Sequence, residues 1–269
     1  MTAEDSLLTP AMHISMSLPS RRWTSFDGWD YNGMKERLQA ALERINRPAL
    51  LHHAERIKGQ KVVMSEPFSA GQYWICFEMV AEDHSLIIAR VRLPRHPDLP
   101  ATVREEDESY SIACEVATME FVRQRVPAVP VPCVYACEGS GSQLAADAGA
   151  VYMLLEGFRG NTLQDVEFDI CKLPVSKAKS SPDSISFRSA ATIERKSTHS
   201  VQVATQGHIM TQWAKVQAEL ATLISPQIGS ICAISPSGEP VIGGLASSAA
   251  ELRDAGPFSR AVEYFAAMA

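Results

Sequence analysis

Apolar positions recur along this chain with two different periods, and the changes of period divide it. Gly33 to Arg47 carries Met34, Leu38, Ala41, Leu42 and Ile45 at helical spacing, which predicts an amphipathic helix stopped by Pro48. A second short helix is predicted from Leu50 to Ile57. From Gln60 the period shortens. Lys61–Pro67, Tyr73–Val80 and Ser85–Leu93 are runs rich in Val, Ile and aromatics, separated by the turn residues Ser69-Ala70-Gly71 and Glu82-Asp83-His84. That pattern predicts an antiparallel meander. Helical spacing returns from Arg104 to Val126, with Ile112, Val116, Met119, Val122 and Val126 on one stripe, and Pro127 ends it. Two further strands are predicted, Pro132–Cys137 and Ala150–Glu156, joined by a loose Gly/Ser/Ala stretch from Glu138 to Gly149.

Residues 172–203 break this order. They are rich in Ser and Lys with little apolar periodicity, and read as a disordered insertion or as the translation of an unspliced intron. Gly207 to Ile224 is again helical, with Trp213, Val216, Leu220 and Leu223 expected inward. Ser230–Ser235 and Glu239–Gly243 make a hairpin through Pro236-Ser237-Gly238, and Phe258–Met268 is an apolar helix. Trp23, Phe26, Trp29 and Tyr31 are expected to dock on a core. The chain thus divides into an N-terminal helical extension (1–59), an α+β unit (60–160) and a mainly helical part (161–269).

Composition narrows the function classes. With 46% hydrophobic and 21% charged residues over 269 positions, the chain has the makeup of a folded protein. A net charge of −6 with no basic stripe gives no electrostatic reason to bind nucleic acid. Neither a signal peptide nor a run of about 18 apolar residues is present, so a cytoplasmic protein without membrane contact is expected. The six cysteines are dispersed. Cys133 and Cys137 form a C-x3-C pair with no second Cys/His pair at zinc spacing, and adjacent His52 and His53 point apart on a helix, so no metal site is expected.

Four places carry candidate chemistry. Ser69-Ala70-Gly71-Gln72 has side chains small enough to let a phosphate approach backbone amides, or is an ordinary hairpin turn. Arg90 lies in an apolar strand, sharing a face with Ile88, and is either solvated there or paired. Glu115 falls at about 300° from Ile112 at about 100° per residue, inside the apolar stripe, where a carboxylate wants a cation. Glu108, also on that stripe, sits in the first turns, where the helix dipole favours it. Tyr152 to Phe158 is an apolar strand ending in Glu156-Gly157, whose backbone suits an adenine edge as well as a plain strand end.

The chain resembles the aminoglycoside phosphotransferase family, in the divergent branch abundant in filamentous fungi. The resemblance rests on FSAGQYWICFEM (68–79), LIIARVRLP (86–94), CEVATMEFVRQRVPAVPVPCVYA (114–136), VYMLLEGFRGNTL (151–163) and PQIGSI (226–231). It covers residues 60–165 well, 205–269 loosely and 172–203 not at all. It implies a protein-kinase-like small lobe, a five-stranded antiparallel sheet plus one helix, with a partial, mainly helical large lobe. It implies ATP and Mg²⁺ as cofactors, with Ser69, Ala70, Gly71, Arg90, Glu115, Leu155, Glu156 and Gly157 around the nucleotide. Arg90 stands where the family usually has Lys, and Arg90 with Glu115 matches the strand–helix ion pair that positions the α- and β-phosphates.

The family's catalytic loop supplies a His-x-Asp, an Asn five residues later and a further metal-binding Asp. His96-Pro97-Asp98 has the form but precedes the helix, and the residue five after Asp98 is Val103. No Asn follows Asn161, and Asp254-Ala255-Gly256 lacks an upstream partner set. No G-x-S-x-G elbow is present, and Gly139-Ser140-Gly141-Ser142 and Gly243-Gly244 lack a Walker or Rossmann context. The resemblance aligns 256–265 with the segment before the catalytic loop, so the chain is expected to stop short of the chemistry. ATP-dependent phosphorylation of a small-molecule hydroxyl is what the family implies. A non-catalytic pseudokinase or nucleotide-binding regulatory module is the alternative, and an inert relic the third reading. Apolar helix faces at 207–224 and 258–268 are expected to promote self-association.

Overall fold

The computed structural model describes residues 18–21, 33–95, 104–160, 193–246 and 255–269. The aromatic segment 22–32, the His96-Pro97-Asp98 motif, residues 172–192 and Asp254 lie outside them. The elements are α1 (Met34–Arg44), α2 (Arg47–Lys58), β1 (Val62–Ala70), β2 (Trp74–Ala81), β3 (Leu86–Arg92), α3 (Glu105–Arg125), β4 (Val134–Glu138), α4 (Gln143–Ala148), β5 (Tyr152–Glu156), α5 (Ile193–Leu220), β6 (Ser230–Ile234), β7 (Pro240–Gly243) and α6 (Ala261–Met268).

Five strands form one antiparallel sheet in the order β1-β2-β3-β5-β4, and β6 pairs with β7 apart from it. The predicted α+β class and five-stranded antiparallel sheet are therefore present. Pro67 sits in β1 at an edge of the sheet, among register shifts, where a missing N–H costs little.

Local chemistry explains the helix ends. Asn46 caps α2, its side chain accepting from Ala49 N, and Pro48 stands in the first turn. Pro48 thus starts the second helix rather than merely stopping the first. Gly59 closes α2 at φ 66°, a left-handed cap. Acidic residues fill the first turn of α3 and Arg123 and Arg125 its last, in line with the helix dipole. Between β4 and β5 the expected loose stretch is instead the short helix α4, capped by Ser142 and Gly149, with Ala145 and Ala148 buried. Small side chains there allow close packing: Asn46 N donates to Ala148 O.

One face of the sheet is a continuous apolar core. Ile75, Phe77 and Met79 from β2, Ile87, Ala89 and Val91 from β3, and Tyr152 and Leu154 from β5 pack under Met34, Leu38, Leu50 and Ala54 of α1 and α2. His53 is buried in this layer. Its Nδ1 lies 2.7 Å from Tyr152 Oη, which settles its polar group inside the core.

Two expectations need correction. The most buried residues of α3 are Cys114, Ala117 and Phe121, roughly opposite the predicted stripe, because the β6–β7 hairpin packs on that side. Tyr110 Oη donates to Gly244 O at 2.9 Å and Arg125 Nη2 contacts Glu239 at 2.6 Å, binding hairpin to helix. The helix is apolar on two opposite sides, so a single-stripe reading found only one of them. Second, helix α5 begins at Ile193, inside the segment expected to be disordered. Trp213, expected inward, is 62% exposed, because no described element covers it. Val216, Leu220 and Leu223 are half-buried.

Candidate functional site

The other face of the sheet has a different chemistry. Strand alternation puts Ile88, Arg90 and Arg92 on it, and pairing with β2 sets Trp74 opposite Arg92, Cys76 opposite Arg90 and Glu78 opposite Ile88. On β5, Met153 lies opposite Arg90 and Leu155 opposite Ile88. Helix α3 crosses above this face. Arg90 Nη1 donates to Glu115 Oε1 at 2.5 Å, and Arg92 Nη2 to Glu108 Oε2 at 3.1 Å. The two acids are seven residues apart, two turns of one helix face, and the two arginines are two apart on one strand face.

Aromatic rings fix the guanidinium planes. The Arg90 guanidinium carbon lies 4.7 Å from the Trp74 ring centroid, and that of Arg92 lies 4.9 Å from Tyr73 and 5.3 Å from Trp74. Such stacking leaves the guanidinium edge to donate, the geometry suited to a carboxylate or phosphate. The Arg90 and Glu115 side chains are 24% and 37% exposed, so the pair holds the fold by only about 0.2–1 kcal/mol. Cys76, beside Arg90, is inert as a nucleophile: burial pushes its thiol up to about 11, against the opposing pull of Arg90.

The remaining predicted residues separate. Ser69, Cys76, Arg90 and Met153 form one row across four strands, which places Ser69 on the Arg90 face about 10 Å away. Ser69 and Ala70 are the end of β1 rather than a loop, and Ala70 points into the apolar core, 3% exposed, because alternation sends it to the opposite face. Gly71 is in the turn. Its N–H donates to Trp74 O, so that amide is already engaged. A side chain at 71 would meet open space, so nothing in the described chain itself requires glycine there. Arg37 of α1 clasps this turn from behind, donating to Gln72 O at 2.8 Å and to Pro94 O.

At the end of β5, Leu155 is on the Arg90 face, whereas the backbone amides of Glu156 and Gly157 are committed to Cys133 O and Leu86 O. The Glu156 carboxylate accepts from Cys133 N. Neither amide is available to an adenine edge in this arrangement. Gly157 has a structural reason of its own, since a Cβ there would collide with the Leu86 side chain.

Sequence reasoning missed Trp74, Arg92 and the pairing of Glu108. The signal was present: the alternation that assigned Arg90 to a face assigns Arg92 to the same one, and Glu108 shares the helical stripe of Glu115. Among the described residues, no group of three His, Cys, Asp or Glu is placed to hold a metal ion, and no helix is long and apolar enough to cross a membrane. Comparison with protein-family models, with curated proteins and with solved structures finds no match to this chain.

Proposed function

We propose that the unit from 60 to 160 binds a nucleotide as the small lobe of an aminoglycoside-phosphotransferase-like kinase fold does. The carrying observation is the Arg90–Glu115 ion pair from the central strand to the single crossing helix. An arginine stacked on Trp74 and steered by a carboxylate presents its edge to the α- and β-phosphates of ATP. The three-strand, helix, two-strand order supports the same reading. So does Gly71, at a turn where the described chain leaves room for something else to approach.

The family's reaction is transfer of a phosphoryl group to a small-molecule hydroxyl. Within these 269 residues no Asn follows Asn161 to hold Mg²⁺, so the proposal for them is confined to nucleotide binding. Nucleotide affinity then depends little on Mg²⁺.

Fluorescent ATP-analogue titration with and without Mg²⁺ tests this. Arg90→Met and Glu115→Gln are expected to weaken binding about tenfold or more, the loss of one charge-assisted contact, and Asp98→Asn to leave it unchanged. An equal loss in Asp98→Asn, or no binding by the unmodified chain, overturns the assignment.

A further inference from the structure

The sheet face that carries Arg90 is partly taken up by the chain itself. Glu78, Ile88 and Leu155 form a row across β2, β3 and β5 on that face. It lies two residues along the strands, about 7 Å, from the row of Cys76, Arg90 and Met153. A short 3-10 turn, Pro19–Arg21, packs along β1 and is closed by a bond from Arg21 N to Leu18 O. It is seated on the Glu78 carboxylate. Ser20 N donates to Glu78 Oε2 at 2.9 Å and Ser20 Oγ to Oε1 at 3.1 Å, so one residue engages both oxygens from 58 positions away. Pro19 is buried, and Glu78 is only 3% exposed.

A nucleotide whose phosphates sit at the edge of Arg90 has two directions in which to lay its sugar and base. The row on one side, Trp74 and Arg92, is filled by their own stack and by Glu108. The row on the other side offers the apolar side chains of Ile88 and Leu155, and Ser20 is bonded at its β2 end. We propose that the turn Pro19–Arg21 is a built-in competitor for the nucleotide site: seated on Glu78, it occupies ground that the sugar and base require, and it leaves when nucleotide binds. This inference rests on the nucleotide reading of Arg90 and adds a regulation of the same site. The hold is small, two hydrogen bonds and one proline ring, so a ligand can break it. Its effect is a lower apparent affinity, the intrinsic affinity reduced to the fraction of chains with the turn unseated.

The test uses the full chain and a fluorescent ATP analogue, with hydrogen exchange at the backbone amide of residue 20 as the measure of docking. Ser20→Asp sets a second carboxylate against Glu78. It is expected to free that amide and to tighten nucleotide binding about tenfold, because docking no longer reduces the competent fraction. Combining Ser20→Asp with Glu78→Gln replaces the repulsion by an amide donor, and is expected to reseat the turn and return the affinity towards that of the wild type. Ser20→Pro removes both donors and is expected to give the same tightening if Ser20→Asp fails to fold. In the wild type, saturating nucleotide is expected to speed exchange at the same amide. Nucleotide bound while that amide stays protected, or freed variants that bind no tighter than the wild type, overturn the competition and leave the nucleotide reading standing. No nucleotide binding by a variant whose amide exchanges freely overturns the nucleotide reading, and the competition with it.

Discussion

The two faces of the five-stranded sheet are built on opposite principles. Under α1 and α2 the sheet is apolar and closed, and its polar intrusion, His53, is satisfied by Tyr152. Under α3 the sheet carries Arg90 and Arg92, stacked on aromatic rings and paired across a gap wide enough to leave a cavity. The first face makes the fold and the second uses it. Stability should therefore concentrate on one side of the same strands and ligand response on the other.

The largest effect expected tests the closed face. Phe77→Ala empties a fully buried site and should cost about 3–5 kcal/mol in urea unfolding, whereas Arg90→Met should cost no more than about 1 kcal/mol. Comparable losses from the two would abolish the contrast. Next is the far side of α3. A Cβ at position 243 would collide with Tyr110 Oη and crowd Cys232 Sγ, so Gly243→Ala should cost about 1–3 kcal/mol, and adding Tyr110→Phe should recover part of it. A neutral Gly243→Ala would mean that the hairpin is not what anchors the helix.

A pH experiment sharpens the same division. Burial, reinforced by nearby Arg56, holds His53 below the ordinary histidine value. The unfolded chain therefore takes up this proton first, at about pH 6.5, while the folded chain still excludes it. Its stability contribution is whole above about pH 6.5 and declines as pH falls below it. The difference in unfolding free energy between the wild type and His53→Asn should be flat above that pH and shrink below it. A flat difference throughout would show that His53 can charge in place.

The smallest effect lies at the surface. The Arg47 guanidinium, by hydrogen bonding, holds Glu66 below the usual carboxylate range, but Glu66 is 81% exposed. Glu66→Gln should change stability by less than about 1 kcal/mol, and Arg47→Met should return the Glu66 titration, followed by NMR, to its ordinary range.

How much of this was legible in the sequence depended on whether one residue's neighbours could be inferred from its own segment. The strands and the facing of Ile88 and Arg90 followed from alternation and the place of Glu115 on its stripe from helical angle, whereas the pairing of Arg90 with Glu115 was suggested by the family resemblance and not by either period. Ala70 was misplaced because the turn was read from its small residues, when β1 in fact runs on to residue 70 and parity buries that side chain. The buried side of α3 was missed because its partner, the β6–β7 hairpin, lies more than a hundred residues further on, and a helix apolar on two opposite sides offers no single stripe to read. The commitment of the Glu156 and Gly157 amides depends on Cys133 and Leu86, which no local pattern connects to them.

The distance in sequence between α3 and its hairpin has a consequence for the chain as it is made. Tyr110 meets Gly244 across 134 positions and Arg125 meets Glu239 across 114. At about 5–20 residues per second on the ribosome, that separation is a wait on the order of ten seconds. The apolar face under α1 and α2 can close as soon as β5 emerges. Helix α3 meanwhile has its two ion pairs to β3 and its packing on β4 to hold it, and Cys114, Ala117 and Phe121 stay bare until the hairpin arrives. A nascent-chain protease assay would find it cleavable long after the sheet has become resistant. In this molecule the interval of vulnerability during synthesis is set by where the hairpin falls in the gene, not by how fast the sheet folds.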